Sequence, residues 1–219
     1  MKRAGLALLA ATVIALVPLA GHAAAIALSG ERQQVLINLT GGLPGRWESC
    51  RALCVPGEQP RTLLGPTGGN SRLGWRVPGD EAATRELENL EYDPDVRASP
   101  GGGTLLLTSR APVGGIRLVH RYRLGADGRT LSASLQIPAG ARVEMRGGPA
   151  LAGEPLPGLA AIYTDARAVQ VSADGQQTLA AEGDEVHDSL LPAGEWAGIR
   201  GRFWAVLVQA GAPLRLTAS

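Results

Sequence analysis

The sequence predicts an all-β protein in which short strands alternate with turns. Short apolar runs recur along the chain, and 30 glycines and 15 prolines separate them. Helix signals are scarce: Asp80 to Tyr92 is the one candidate, and Pro78, Gly79 and Pro94 around it leave an acidic loop as the alternative. This combination is typical of a β-sandwich or barrel.

The clearest strand runs from Ile116 to Leu124. Alternate residues point to opposite faces of a strand, so one face carries Ile116, Leu118, His120, Tyr122 and Leu124 while the other carries arginine except for Val119. An Asp127-Gly128 turn follows, and the alternation resumes from Thr130 to Ile137. We therefore expect these two strands to form a hairpin.

Further strands are predicted on both sides of this hairpin. They cover residues 35–39, 104–109, 141–145, 168–171, 203–209 and 214–217. Neither a repeat of fixed period nor a convincing linker divides the sequence, and its length suits one all-β domain. We predict a single β-sandwich domain over residues 26–219.

The first 25 residues resemble an export signal. Lys2 and Arg3 precede an apolar run from Ala4 to Ala20, and Ala23 and Ala25 occupy the −3 and −1 positions of a cleavage site. The alternative is an uncleaved anchor, because an apolar run of roughly 17 residues is at the lower limit for spanning a bilayer. Either way we predict a periplasmic protein, secreted or anchored to the inner membrane.

The charge balance argues against nucleic acid as a partner. Cleavage would remove Lys2 and Arg3 from the 21 basic residues, leaving 19 against 20 acidic ones and a formal charge of −1. Nucleic-acid binding needs a concentrated basic face.

The two cysteines, Cys50 and Cys54, leave two interpretations open. An oxidising compartment permits a disulfide, but the Cα atoms must lie within about 7 Å, so the intervening residues have to bend. Otherwise both remain thiols. Two cysteines without nearby histidines do not make a tetrahedral ligand set, and the sequence predicts neither a metal nor a cofactor.

The late segment Gly194–Trp204 concentrates the aromatic residues in a chain that is 4% aromatic. We expect a glycine-rich corner that delivers Trp196, followed by a strand whose successive aromatic residues point to opposite faces. These side chains either line a partner-binding edge, with an arginine stacked on an indole, or close the core. The candidate binding residues are Trp196, Arg202, Phe203 and Trp204.

This segment resembles the W-x-G-x-x-D-(K/R)-(Y/F)-(F/W) signature of the periplasmic domain of YidC-type membrane protein insertases, with Gly201 at the usually acidic position. Gly41-Gly42 followed by Trp47 resembles the opening of the same domain. The resemblance implies a β-supersandwich related to galactose mutarotase-like folds. The transmembrane helices that perform insertion are missing from this sequence, so the family's main activity does not carry over.

The resulting hypothesis is a non-enzymatic periplasmic accessory module that contacts a polypeptide or inner-membrane protein during membrane protein insertion or envelope assembly. After cleavage it would be close to the membrane without spanning it.

The alternative is a carbohydrate-binding protein or a mutarotase-like enzyme, in which His120 or His187 would pair with Glu144 or Glu154 to move a proton. The low aromatic content disfavours sugar binding. His120 is equally explained as a buried core histidine, and His187 as part of a solvated acidic loop, residues 182–188.

Overall fold

The computed structural model describes residues 14–17, 24–30, 32–50, 60–64, 73–97, 103–113, 115, 117–125, 127, 129–137, 143–146, 167–175, 177–179, 187–200, 205–209, 211 and 214–218. The chain divides into two compact units, Met1–Thr62 with Arg72–Gly147, and Leu63–Ser71 with Gly148–Ser219. Antiparallel β-sheets dominate the described residues, as predicted.

The elements up to residue 146 are, in chain order, β1 (Ile14–Val17), β2 (Ala25–Ser29), β3 (Gln33–Asn38), β4 (Pro44–Ser49), β5 (Arg61–Leu64), β6 (Gly74–Arg76), α1 (Glu81–Asn89), β7 (Tyr92–Arg97), β8 (Thr104–Ser109), β9 (Val119–Leu124), β10 (Leu131–Gln136) and β11 (Glu144–Arg146). Strands β1 to β5 form a sheet in sequence order. A second sheet has the order β10-β9-β8-β7, and β6 pairs with β11.

The core of the first unit lies between these sheets, which gives the unit a sandwich-like architecture. Its buried side chains come from both sheets and from the segments between them: Ile26, Leu28, Val35, Ile37, Leu43, Trp75, Leu87, Leu90, Tyr92, Leu105, Leu107, Leu118, Tyr122 and Leu124. Burial alternates along β8 and β9, and in β9 it explains the alternation of arginine with core-facing residues in the sequence.

The predicted hairpin is confirmed: β9 pairs with β10, with Tyr122 opposite Ala133. The first strand runs over Val119–Leu124, and Ile116, where it is predicted to begin, lies outside the described residues. Before this strand, the Leu118 carbonyl accepts from the Ser109 N–H at 2.9 Å, whereas the Leu118 N–H donates to the Ser109 hydroxyl at 3.0 Å rather than to a backbone carbonyl.

The candidate helix is present as α1, but it is shorter than predicted. The Asp80 carboxylate caps it by accepting from the Ala83 N–H at 2.9 Å, while Leu87 and Leu90 are buried. Leu90 adopts an extended conformation, which ends the helix, and Tyr92 begins β7.

The second unit contains β12 (Arg167–Val171), β13 (Gln177–Leu179), β14 (His187–Leu191), β15 (Trp196–Arg200), β16 (Ala205–Gln209) and β17 (Leu214–Ala218). One sheet has the order β13-β12-β15-β16, and β14 pairs with β17. Leu191 and Ala197 form a small buried cluster. In the described part of the chain, no helix has the length and apolar character needed to cross a bilayer.

Candidate functional site

His120 lies in the core of the first unit, enclosed by aromatic rings. Only 2% of its surface is exposed. Its ring packs edge-on against Trp75 and Tyr92, with centroids 5.6 and 4.8 Å away, and stacks with Tyr122 at 6.1 Å. The predicted placement of His120 on the apolar face of its strand is confirmed.

Both imidazole nitrogens have hydroxyl partners. Nε2 lies 3.0 Å from the Tyr92 hydroxyl, and Nδ1 lies 3.3 Å from the Tyr122 hydroxyl. The Tyr122 hydroxyl donates to the Gly42 carbonyl at 2.6 Å, so its oxygen accepts from Nδ1–H, and Nε2 accepts from Tyr92. This assignment satisfies a neutral imidazole completely.

The hydrogen-bond network of His120, Tyr92 and Tyr122 contacts the backbone at the Gly41-Gly42 turn. Gly41 donates its N–H to the Leu90 carbonyl at 2.9 Å and accepts from the Trp75 indole at 2.7 Å. Both glycines have positive φ, 75° and 70°, a region that side chains disfavour. A Cβ on Gly42 would lie only 3.0 Å from the Tyr92 ring. The paired glycines therefore allow the turn to contact the aromatic cluster.

Burial fixes the protonation of this network. It lowers the pKa of His120 to about 4 and raises that of Tyr92 to about 12. For Tyr122, burial first and then the Tyr92 charge also raise the pKa. All three groups are neutral at physiological pH, which suits a structural network better than proton transfer.

The carboxylates considered for the sugar enzyme do not join His120 within the described residues. Glu144 lies on β11 and faces Arg76 at 3.6 Å, with about half of each side chain exposed. Glu154 and the loop before His187 lie outside the described residues. His187 begins β14 opposite Ala218.

Trp196 is the member of the late aromatic group that the structure describes. It begins β15, opposite Val171 and Gln209, and 36% of its surface is exposed. The turn before it contains Gly194 with φ of 90°, where the sequence predicts a glycine-rich corner. Arg202, Phe203 and Trp204 lie outside the described residues.

Cys50 is buried and disulfide-bonded. Cys54 lies outside the described residues, so the pairing of Cys50 with Cys54 stays a prediction. Among the described residues, no group of three histidine, cysteine or acidic side chains is arranged as metal ligands would be.

The solvent-facing side of the β7 to β10 sheet is mostly polar and carries Arg121 and Arg123. These arginines lie opposite Ser134 and Ser132 on β10. On β7, Arg97 pairs with Asp95 at 3.0 Å. Arg110 pairs with Asp93 at 2.7 Å and with Glu91 at 2.6 Å, and the bond to Asp93 is the main cause of its raised pKa. The β7 edge of this sheet is therefore charged, whereas the opposite edge strand, β10, contains no charged residue.

Sequence reasoning placed His120 and Tyr122 on one face but missed their partners. Trp75 and Tyr92 are distant in sequence, and Tyr92 was assigned to the helix. The double glycine was a usable signal, because adjacent glycines often mark positive φ. The open edge of β10 was also missed, since strand order cannot be inferred from one strand's alternation.

Comparison of the chain with protein-family models, curated proteins and solved structures finds no significant match.

Proposed function

We propose that this chain is an exported periplasmic accessory module, resembling the periplasmic domain of YidC-type insertases. It would bind a polypeptide or membrane protein partner during membrane protein insertion or envelope assembly. The observation that carries the proposal is the exposure of large apolar side chains beside the Pro192–Glu195 turn: Leu190 is 65% exposed and Trp196 36%. Exposed apolar groups of this size favour protein contact.

Two features support binding over sugar chemistry. Burial keeps His120 neutral and out of reach of solvent, so it is poorly suited to exchange protons with a substrate. Three aromatic side chains of the first unit, Trp75, Tyr92 and Tyr122, are buried and so do not offer the flat exposed platforms that a sugar would use.

The test is capture of partners by cross-linking in intact envelopes. We expect the wild-type chain to retain a specific protein that Trp196→Ala recovers at least about tenfold less, because a central tryptophan commonly contributes about 2 kcal/mol to an interface, which corresponds to about 30-fold in affinity. Val96→Ala is the matched control, since Val96 is also 36% exposed but lies on β7.

Circular dichroism of both variants checks that they fold. Equal recovery with Trp196→Ala and wild type would reject this contact surface. Failure of the wild-type chain to retain any protein, together with binding of a sugar on a glycan array, would overturn the binding-module proposal.

A further inference from the structure

The four-stranded sheet of the first unit has two edges of opposite character. On β7 the Tyr92 N–H is already bonded to the Leu39 carbonyl at 2.9 Å, and Pro94 has no N–H to offer. Asp93 and Asp95 add charge on this edge. Proline and charged residues are the usual means by which proteins prevent strand addition at an edge.

The β10 edge lacks this protection. Its sequence, Leu131 to Gln136, contains neither proline nor charge, and Ser132, Ala133 and Ser134 are exposed. Within the described ranges, β10 pairs with β9 on one side and with no strand on the other. An exposed strand of this kind is a template for another strand.

The alternation of hydrogen bonds between β9 and β10 shows which backbone groups of β10 face away from β9. Gly125 donates its N–H to the Thr130 carbonyl at 2.8 Å. Because bonded and non-bonded pairs alternate in an antiparallel ladder, Ser132 and Ser134 then bond to β9. Leu131, Ala133 and Leu135 direct their N–H and C=O groups outward.

On the core-facing side of the β10 edge, an added strand would pack best with apolar side chains. Ala133 lies opposite the buried Tyr122 and yet is exposed. Leu131 and Leu135 pack against the core but are only partly covered. Apolar side chains on an added strand would extend the core over these three residues.

On the solvent-facing side of the same edge, acidic side chains of an added strand would complement the arginines of β9. Arg121 and Arg123 are exposed, and no hydrogen bond or ion pair holds either guanidinium within the described part of the chain. An added strand would lie about 10 Å from β9, two strand spacings away. The small Ser132 and Ser134 side chains between them leave room for arginine to meet a glutamate or aspartate.

We propose that the β10 edge binds an extended polypeptide segment by strand addition, and that this segment alternates apolar residues with acidic ones. Main-chain bonds to Leu131, Ala133 and Leu135 supply affinity, and Arg121 and Arg123 select the acidic side chains. This inference rests on the proposed function, because it specifies the chemistry of a polypeptide partner.

The probe is a fluorescent eight-residue peptide of alternating valine and glutamate, titrated into the full chain by anisotropy. We expect saturable binding that weakens about tenfold or more in Ala133→Pro, which removes an outward N–H and obstructs the edge. Ala133→Thr is the matched comparison, because it changes the same side chain but keeps the N–H, and it should therefore bind more tightly than Ala133→Pro.

The charge requirement is tested separately. Arg121→Glu should weaken binding about threefold to tenfold, whereas Arg85→Glu makes the same charge change on an exposed position of α1 and should have no effect. A peptide alternating valine and lysine should bind more weakly than the glutamate peptide.

Equal affinity of Ala133→Pro and Ala133→Thr, or no binding of the glutamate peptide, would overturn the inference. So would a dimer in sedimentation that Ala133→Pro dissociates, since the occupant would then be a second copy of this chain. If Ala133→Pro recovers the envelope partner in the same amount as the wild-type chain does, the edge inference fails, while the proposed function, whose contact surface includes Trp196, stands.

Discussion

At the scale of the residue, His120 determines how stability depends on pH. Its pKa is about 4 in the folded chain and about 6.5 when unfolded. The unfolded chain therefore binds the proton first, so the stability present above pH 6.5 is lost as the pH falls towards 4. We expect urea unfolding to show a loss of about 2 kcal/mol between pH 7.5 and pH 5.

His120→Gln supplies the comparison, because glutamine keeps a donor and an acceptor but does not titrate in this range. The variant should lack this loss, even if it is less stable overall. If the unfolding free energies of the wild type and the variant change in parallel with pH, His120 is exposed to solvent. The buried hydrogen-bond network of His120, Tyr92 and Tyr122 would then be incorrect.

The alternation of residues 116–124 was sufficient to predict that His120 is buried, because one face of that strand is otherwise apolar. It could not identify Tyr92 or Gly42 as neighbours. The His120–Tyr92 and Tyr122–Gly42 hydrogen bonds join residues 28 and 80 positions apart in the chain, and local periodicity carries no information about such pairings.

At the scale of the element, the Gly41-Gly42 turn is the tightest point of the aromatic cluster. Gly42→Ala combines a positive φ with a Cβ 3.0 Å from the Tyr92 ring, so we expect a loss of about 2–4 kcal/mol in unfolding free energy. Gly79→Ala is the control: its φ is 77° and nothing lies within 4 Å of the added Cβ.

Gly79→Ala should lower the free energy of unfolding by about 1–2 kcal/mol, because it introduces only the strain of the left-handed backbone. Urea titrations of the two variants measure the difference, which isolates steric crowding. Equal losses would show that the turn tolerates a side chain and does not contact the rings closely.

Strands were predictable from the sequence where one face is buried and the other is exposed to solvent. Strand β9 was predictable because buried and exposed residues alternate along it. Strand β8 matches its predicted bounds because its apolar run lies between a glycine-rich segment and a turn that contains proline and glycine. Strand β7 was missed, since five of its six residues are exposed and no apolar period marks them. Strand β2 was missed for the opposite reason: Ala25 to Leu28 are all buried, and the apolar run merges with the predicted export signal.

At the scale of the whole molecule, the predicted cleavage site falls inside the first sheet. Residues Ile14–Val17 form β1, paired with β2 from Ala25 to Leu28. Cleavage after Ala25 would remove β1 and leave β2 at the edge. Cleavage would also remove Ala25, which is fully buried. The larger side chains of the described core nevertheless begin at Ile26 and belong to the chain that cleavage would leave.

We therefore expect residues 26–219 to fold without residues 1–25. The loss of a four-residue strand removes a few edge hydrogen bonds, worth about 2 kcal/mol in total, and should lower the thermal midpoint by about 5 °C. Thermal unfolding by circular dichroism compares the two chains, and mass spectrometry of the exported protein gives its first residue. A 26–219 chain without cooperative unfolding, with an exported form that retains residue 14, would show that β1 is required by the fold. That outcome would overturn both the cleaved signal and the membrane-spanning anchor, since residues paired in this sheet cannot also span a bilayer.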